Sequence, residues 1–238
     1  MLELIGFDGD DTLWHSEGYY RQANDAFAAI MAHYVDLDDQ HVAEIMLATE
    51  QRNLDVFGYG AKGMALSMVE TAIAVSDSRI SAADIHRLIE LGKRVLQHPV
   101  ELLPGIREAV EAVAANYQVV LITKGDLFHQ EKKVAACGLA DLFQRIEIVS
   151  EKNSATYQRV LREFRLPPAQ FAMVGNSLRS DMEPVLGLGG WGVHMPYHVT
   201  WAHELESGLA ADERRMLTVH LPAAIPAAVA QLDAQSRA

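Results

Sequence analysis

LELIGFDGDDTL, residues 2–13, is a short apolar run that ends abruptly in carboxylates. An apolar run of this length, closed by polar residues, predicts a buried strand of a parallel β-sheet. Such a strand delivers its acids to the carboxyl edge of the sheet, where open α/β sheets bind their ligands. Asp8 and Asp10 are two positions apart, so both side chains can face one site. Two acids held this close conflict electrostatically, and a cation or a separation of their pKa values must resolve the conflict.

Apolar runs of the same kind recur in the second half of the chain. We predict strands at Leu2–Phe7, Val119–Thr123, Ile146–Ser150, Phe171–Gly175, Gly192–Met195 and Leu217–Leu221. Helices are predicted between them, the first over Pro104–Ala115, and the Ala-rich residues 222–238 predict a terminal helix. This regular alternation is typical of right-handed βαβ units. The predicted fold class is therefore α/β, with a doubly wound parallel sheet.

Residues 15–99 interrupt the alternation, because they contain no convincing strand. Their apolar spacing instead predicts helices at Tyr19–Tyr34, Gln40–Asp55, Lys62–Val75 and Ser81–His98. Ser81, with Asp84 three residues later, is typical of a helix N-cap. The stretch is too long for a βα crossover. We therefore predict an inserted helical domain over 15–99, hinged near 13–17 and 99–104, and a core domain formed by 1–14 and 100–238.

Three later strands also end in polar residues. Thr123 and Lys124 close the second predicted strand, Lys152 follows the third, and Asn176 follows the fourth, with Asp181 shortly after it. Each group has an ordinary alternative: a strand-ending threonine, a solvated surface lysine, or an asparagine that caps the next helix. The first acids have one too, as a solvated or calcium-binding loop. The order of the groups, each after an apolar strand, favours one shared site.

The polar strand ends resemble, in the same order, the motifs of the haloacid dehalogenase (HAD) superfamily. The resemblance implies that Asp8 is a nucleophile that becomes phosphorylated and that Asp10 is a general acid/base. It implies that Thr123 binds a phosphoryl oxygen and that Lys152 balances the charges of nucleophile and phosphate. Lys124 is the rival lysine and a candidate for substrate binding. It also implies that the helical insert is a cap that closes over the active site.

The last motif of that family binds magnesium through carboxylates. The ligands expected here are Asp8, Asp181, Asn176 and the backbone carbonyl of Asp10. Asn176 departs from the commonest pattern, which has Asp there, and an amide oxygen brings no charge, so we expect weaker metal affinity. Asp11 is a second departure, because many relatives carry Gly at this position. It points either away from the site or into the cap hinge, and we assign it no catalytic role.

The resemblance implies a magnesium-dependent phosphatase that hydrolyses a small phosphorylated metabolite through an aspartyl-phosphate. Dehalogenases of the superfamily are the nearest alternative, but they typically lack an acid two residues after the nucleophile, where this chain has Asp10. A phosphonate hydrolase would use a cap lysine, for which Lys62 is the candidate. Nothing in the sequence excludes a phosphosugar mutase. A non-catalytic phosphate- or metal-binding protein of the same fold is a further alternative.

The identity of the substrate is not readable from the sequence. The cap offers Arg52, His41 and the loop Phe57–Gly60 as candidates for contact with the leaving group. Trp14 and His15 lie at the predicted hinge, where packing is the favoured explanation for both.

The bulk properties restrict the partners. A net charge of −12, without a run of Lys or Arg, predicts no nucleic-acid partner. We expect no membrane partner and no signal peptide, because no apolar run approaches bilayer length and the N-terminus leads straight into a strand. The single cysteine, Cys137, suits a reducing cytoplasm and is expected to pack in the core. The oligomeric state is left unpredicted.

Overall fold

Six parallel strands form the sheet of the computed structural model, which describes residues 1–38, 41–199, 208–209 and 214–237. The strands are β1 (Leu4–Phe7), β2 (Gln118–Lys124), β3 (Arg145–Val149), β4 (Phe171–Gly175), β5 (Trp191–His194) and β6 (Met216–Thr218). Their order is β3-β2-β1-β4-β5-β6, and every neighbouring pair is parallel. The chain therefore winds outward from β1 in one direction and then in the other. The predicted α/β class with a doubly wound parallel sheet is confirmed, and its topological switch point lies between β1 and β4.

Helices occupy most of the remaining described residues. They are α1 (Glu17–Met31), α2 (Val42–Phe57), α3 (Ala61–Val75), α4 (Ala82–Gln97), α5 (Ile106–Ala114), α6 (Leu127–Ala136), α7 (Ser154–Phe164), α8 (Glu183–Gly187) and α9 (Ile225–Ser236). A π-helical turn, Leu178–Met182, leads into α8. Gln40, at the predicted start of the second helix, and Ala238, at the predicted end of the last, lie outside the described residues. None of the helices in the described ranges combines the length and the hydropathy that a membrane span requires.

The central strand β1 is buried along its whole length. Ile5 and Phe7 pack on one face of the sheet with α5 and α9, whereas Leu4 packs on the other face with α7. Because both faces are covered, the strand reads as a continuous apolar run rather than an alternating one. Asp8 is the first residue past this run, so it lies where the covering layers end.

The chain divides into two compact units, one made of Met1–Glu17 with Val100–Ala238 and the other of Gly18–Pro99. The second unit contains α1, from Gly18 onward, and α2 to α4, around its own core of apolar residues, among them Phe27, Met68 and Leu88. The Ser81 hydroxyl accepts a hydrogen bond from the backbone N–H of Asp84 at 3.1 Å, so Ser81 is the N-cap that its sequence context predicts. Within this unit the rings of Tyr19 and His98 stack with centroids 3.4 Å apart, which joins the two ends of the insert.

Candidate active site

The carboxyl ends of β1 and β4 lie side by side, and β2 extends a few residues past them. Phe7 lies opposite both Leu121 of β2 and Val174 of β4. Asp8 therefore leaves the sheet beside the strand ends that carry Thr123 and Gly175, and its backbone N–H still donates to the Val174 carbonyl at 2.9 Å. Register alone thus gathers the predicted polar strand ends at the switch point of the sheet.

A buried lysine joins two of the predicted acids. The Lys152 ammonium donates to Asp8 Oδ1, and it also donates to Asp181 Oδ1 at 2.7 Å. All three side chains are buried. One positive charge therefore serves two carboxylates that are far apart in the sequence, and the ionised cluster keeps one net negative charge.

The pKa values of this cluster follow from its burial and its charges. Burial raises the pKa of Asp8 to about 7, and the charge of Asp181 adds to that shift while Lys152 opposes it. Burial by itself lowers the pKa of Lys152, but the charges of Asp181 and Asp8 outweigh burial and raise that pKa above its usual value. Lys152 is thus charged at neutral pH, and the cluster has a deficit of positive charge that a cation would offset.

Thr12 is a site residue that the motif-based interpretation did not assign. Its hydroxyl donates to Asp8 Oδ2 at 3.2 Å and lies 3.3 Å from Asn176 Oδ1. The two oxygens of Asp8 are therefore held by Lys152 on one side and by Thr12 on the other. The sequence signal is the position of Thr12 four residues after Asp8 in the first polar strand end. The structure shows that Thr12 lies on a tight turn in which the backbone N–H groups of 12, 13 and 14 all point to the Gly9 carbonyl.

Oxygen atoms from three residues converge beside Asp8. One terminal atom of the Asn176 amide, nitrogen or oxygen according to how the amide is turned, lies 3.2 Å from Asp8 Oδ2 and 3.3 Å from the backbone carbonyl oxygen of Asp10. With its nitrogen at that position the amide donates to both oxygens, and with its oxygen there it adds a third oxygen next to them. His194 Nε2 holds the backbone carbonyl of Asn176 at 3.1 Å.

This donor set fits a hard divalent cation, which takes carboxylate, amide and carbonyl oxygens as ligands. It contains few charges, and the described residues include no group of three or more His, Cys, Asp or Glu side chains arranged to hold a metal. Asp8 and Asp181 meet at Lys152, and Asn176 lies beside Asp8 and the Asp10 carbonyl, so the predicted ligands are near one another, while their binding of a metal stays a prediction. Asn176 lowers the charge of that set relative to a third acid, as the sequence interpretation expects.

Asp181 is held in place by the turn that carries it. It lies in the π-helical turn Leu178–Met182, a rare conformation that occurs frequently at functional sites. The backbone N–H of Ser177 donates to Asp181 Oδ2 at 3.0 Å, so Oδ1 is left to meet Lys152. Gly175 makes this approach possible, because a Cβ atom at that position would collide with the Asp181 carboxylate.

Thr123, predicted to bind a phosphoryl oxygen, lies at the end of β2 and is fully buried. Its hydroxyl has no hydrogen-bond partner among the residues that the structure describes. A Cβ atom at Gly9 would lie 2.9 Å from the Thr123 hydroxyl oxygen, so glycine keeps the space beside it open. A buried hydroxyl without a partner is costly, and a bound acceptor oxygen would remove that cost.

Lys124 takes a different direction from Lys152. Its ammonium donates to Ser180 Oγ at 3.1 Å and lies 3.6 Å from Glu151. These contacts bring Lys124 to the turn Leu178–Met182, which also carries Asp181. Its role in substrate binding stays a prediction.

Asp10 has its own set of partners, separate from those of Asp8. Its Oδ1 accepts from Trp14 Nε1 and from the Lys133 ammonium, both at 2.5 Å, and its Oδ2 accepts from Gln130 Nε2 at 2.8 Å. Burial would raise the pKa of Asp10, but the charge of Lys133 and the hydrogen bonds from Lys133, Gln130 and Trp14 outweigh it and lower that pKa. The pKa values of Asp8 and Asp10, which are two residues apart, are therefore shifted in opposite directions.

Sequence reasoning missed Gln130 and Lys133, and it explained Trp14 by packing. Both missed residues lie on α6, three positions apart, and both are buried. Polar residues at helical spacing on a buried face are the one signal that points to them, and that signal requires knowing which face of α6 meets the sheet.

Asp11 points into the hinge, which settles the alternatives left by the sequence. Its backbone φ is +62°, in the left-handed region, and its Oδ1 accepts the backbone N–H groups of Ser16 at 2.9 Å and Glu17 at 3.1 Å. Burial, followed by the charge of Asp10, raises the pKa of Asp11 to about 8. The next hinge residues are also engaged: Trp14 is fully buried and His15 Nδ1 lies 2.6 Å from the Tyr197 hydroxyl.

The cap candidates lie in the helical unit and have partners there. Arg52 donates to Thr49 Oγ1 at 3.2 Å and lies 3.5 Å from Glu70. His41 lies 3.7 Å from Glu44. These contacts are local to α2 and α3 and assign no ligand to either residue.

The comparisons with known proteins agree on a family. A family model described as haloacid dehalogenase-like hydrolase matches residues 2–187. A haloacid dehalogenase-like family hydrolase from Xanthomonas campestris is 57% identical, with a TM-score of 0.91, and the match covers 99% of this chain and 98% of that one. No curated protein sequence matches the chain.

More distant structures share the fold alone. A 2-haloacid dehalogenase from Pseudomonas syringae is 20% identical, with a TM-score of 0.62 over 97% of this chain and 99% of that one. A protein described as a predicted phosphoglycolate phosphatase from Haemophilus somnus is 19% identical, with a TM-score of 0.61 over 94% and 96% of the two chains. Dehalogenases and phosphatases thus share this architecture, and the site residues must distinguish between them.

Proposed function

Because the chain belongs to the family of haloacid dehalogenase-like hydrolases, we propose that this hydrolase is a phosphatase acting on a small phosphorylated metabolite. The observation that carries the proposal is the separation of Asp8 and Asp10 into two environments at one sheet edge. Lys152 and Thr12 hold Asp8, whereas Lys133, Gln130 and Trp14 hold Asp10. Two acids with different partners suit two different tasks.

In the first step the Asp8 carboxylate attacks phosphorus in line. An Asp8 oxygen forms a bond to phosphorus, and the bond from phosphorus to the leaving oxygen breaks with its electron pair on that oxygen. Asp10, carrying a proton, transfers it to the leaving oxygen, which departs as an alcohol. A general acid of this kind typically contributes about 10²–10⁴-fold.

In the second step water hydrolyses the aspartyl-phosphate. Asp10, now ionised, takes a proton from the water as its oxygen bonds to phosphorus, and the bond to Asp8 breaks to release phosphate and restore both acids. The Lys152 ammonium and the Thr123 hydroxyl hold the phosphoryl oxygens and offset their developing charge.

The protonation of Asp10 requires the substrate. In the free protein the pKa of Asp10 is lowered by its partners, so the group is an anion at neutral pH. The negative charge of a bound phosphate ester disfavours a second anion nearby and raises that pKa toward the range in which Asp10 carries a proton. Substrate binding therefore prepares the acid.

A magnesium ion fits the oxygen atoms of Asp8, Asp181, Asn176 and the Asp10 backbone carbonyl. When bound, it would supply positive charge that favours the ionised form of Asp8 and neutralises phosphoryl oxygens. The net negative charge of the Asp8–Lys152–Asp181 cluster supports this assignment, because a single ammonium leaves one carboxylate unbalanced.

Dehalogenation of a 2-haloacid is the second candidate, supported by the contacts of the Lys152 ammonium with Asp8 and Asp181, which place a positive charge beside the nucleophile. Halide leaves carbon as a stable anion and needs no proton. A dehalogenase would have no use for Asp10 clamped by three donors, so Asp10 favours the phosphatase.

The deciding assay offers both substrate classes to the same purified protein. Phosphate release from p-nitrophenyl phosphate and from a panel of metabolite esters is measured with Mg²⁺ and with EDTA, beside chloride release from 2-chloropropionate. We expect phosphate release that needs Mg²⁺ and is abolished in Asp8→Asn. Chloride release without phosphate release would overturn the phosphatase in favour of a dehalogenase, and no turnover of either class would favour a binding protein.

A further inference from the structure

The partners of Asp10 form a built arrangement that the general mechanism does not require. Lys133 and Gln130 reach the carboxylate from α6, and Trp14 reaches it from the hinge segment. Three N–H donors from two separate elements therefore converge on one side chain. We refer to Lys133, Gln130 and Trp14 as the Asp10 clamp.

Lys133 is the most telling member of the clamp. Its side chain is 9% exposed, and its ammonium meets Asp10 Oδ1 across 123 positions of sequence. A buried ammonium is strongly unfavourable unless it is paired, so its placement here depends on Asp10. The neighbouring Lys132 shows the ordinary alternative, because it is exposed and lies over the Phe128 ring at 4.3 Å.

The backbone at Gly125 leaves room for the Gln130 side chain. Its Nε2 bonds both Asp10 Oδ2 and the Lys124 carbonyl at 2.8 Å. Gly125 has a φ of +147°, and a Cβ atom there would lie 2.8 Å from Gln130 Nε2. The loop after β2 thus leaves room for this amide. Gln130 Oε1 is buried without a hydrogen-bond partner among the described residues, so the amide is turned to serve Asp10 rather than to satisfy both of its own ends.

The clamp leaves one part of Asp10 available. An ionised carboxylate has about four lone-pair positions. The described contacts occupy two on Oδ1, through Trp14 and Lys133, and one on Oδ2, through Gln130. The side chain remains 29% exposed. The remaining position on Oδ2 is therefore the one that can carry the transferable proton.

We propose that Lys133 and Gln130 are positioning residues that fix the Asp10 carboxylate with its free Oδ2 lone pair toward the leaving oxygen of the substrate. This inference rests on the proposed phosphatase function and deepens it. The two residues touch Asp10 rather than the substrate, so they act through the orientation of the general acid. Replacing Lys133 or Gln130 should therefore lower the reaction rate most for substrates whose leaving group needs a proton.

The leaving group separates this role from a structural one. An ester such as 2,4-dinitrophenyl phosphate expels a stable anion, whereas phenyl phosphate expels a basic one that requires protonation. A variant that misplaces the general acid loses rate on phenyl phosphate and keeps it on the dinitrophenyl ester. A variant that merely destabilises the fold loses rate on both alike.

The experiment compares kcat/KM for both esters in wild type, Lys133→Met, Lys133→Arg and Gln130→Met, with Lys132→Met as the matched control on the same helix. Lys133→Met is expected to lose about 10²-fold on phenyl phosphate and less than about 5-fold on the dinitrophenyl ester. Lys133→Arg, which keeps a charged donor, restores part of the loss, and Lys132→Met matches wild type on both. Gln130→Met should also lose more kcat/KM on phenyl phosphate than on the dinitrophenyl ester, but by a smaller factor than Lys133→Met.

Each outcome is decisive. Equal losses on the two esters in both Lys133→Met and Gln130→Met would overturn the clamp while leaving the phosphatase intact. If Lys133→Met does not fold, as judged by circular dichroism, Gln130→Met alone carries the comparison, since it removes a neutral donor. An inactive wild type on both esters would overturn the proposed function itself, and the clamp with it.

Discussion

Replacing Lys152 by methionine tests the charge arrangement on which the site depends. The variant leaves Asp8 and Asp181 buried and facing each other without the ammonium that both contact. At the 2.7 Å separation of Lys152 and Asp181, and with an effective dielectric constant of about 20, each ion pair represents about 6 kcal/mol of Coulomb energy. The desolvation of the buried ammonium, worth several kcal/mol, offsets part of this energy.

We therefore expect Lys152→Met to lose about 3–5 kcal/mol of unfolding free energy at pH 8, the usual cost of breaking a buried pair. For a chain of this size the loss corresponds to a fall in Tm of roughly 6–20 °C. It should shrink at lower pH, because a carboxyl whose pKa is raised in the folded state binds a proton more tightly there than in the unfolded chain. Burial raises the pKa of Asp8 to about 7 while Lys152 opposes the shift, and removal of Lys152 raises that pKa further, so the loss shrinks as the pH falls through the region just above 7.

The assay is thermal and urea unfolding of wild type and variant at pH 8 and pH 5.5, with the exposed Lys132→Met as a control for loss of a lysine. The double variant Lys152→Met with Asp181→Asn should recover much of the stability, because one carboxylate no longer faces another. A loss below about 1 kcal/mol at pH 8, the range of an exposed ion pair, would refute the reasoning. So would a loss that grows as the pH falls.

Three further substitutions test other parts of the structure. Ser81→Ala removes the cap of α4 and should cost about 1 kcal/mol in urea unfolding of the helical unit. Asp233→Asn should cost about 1–2 kcal/mol at pH 7, because Asp233 accepts from the Leu2 backbone N–H at 2.6 Å and carries a charge. The pKa of Asp233 is lowered, burial being outweighed by its hydrogen bonds, so its contribution is present above pH 4 and lost as the pH falls further. Gly175→Ala should displace Asp181 and reduce turnover at least about 10²-fold with little change in substrate KM.

Each of these expectations has a result that would contradict it. An unchanged unfolding curve for Ser81→Ala would show that the cap hydrogen bond contributes nothing. A cost for Asp233→Asn that is as large at pH 3 as at pH 7 would remove the charge from the explanation. Full activity in Gly175→Ala would mean that the chain relaxes around the new methyl group and that the position of Asp181 is not critical.

The sheet is the part of the structure that local patterns predict well. The strands β1 and β4 and most of β2 are apolar runs, and in a sheet covered on both faces such a run is the whole signal. The four helices of Gly18–Pro99 were predicted by their periodicity, with ends displaced by a few residues because helix ends depend on caps and tertiary contacts.

The π-helical turn Leu178–Met182 could not be predicted in the same way. Its residues carry no special propensity, and the turn exists because Asp181 must meet Lys152 beside Gly175. The same limit applies to Lys133. Within α6 it is one of two adjacent lysines, and only the position of the helix against the sheet determines that it is buried while Lys132 is exposed.

The two lysines explain how neighbouring acids can be given different tasks. Asp8 shares its ammonium with Asp181, and the shortage of positive charge, together with burial, raises its pKa. Asp10 has an ammonium to itself, with two further donors, and its pKa falls although partial burial opposes the shift. These shifts are the reverse of those that phosphoryl transfer needs, which are an ionised nucleophile and a protonated acid. In the proposed reaction a phosphate ester would bring negative charge to Asp10 and a cation would bring positive charge to Asp8, so each ligand would correct one of the two shifts. Under the proposed function, the free protein would be a resting state whose chemistry requires both charges together.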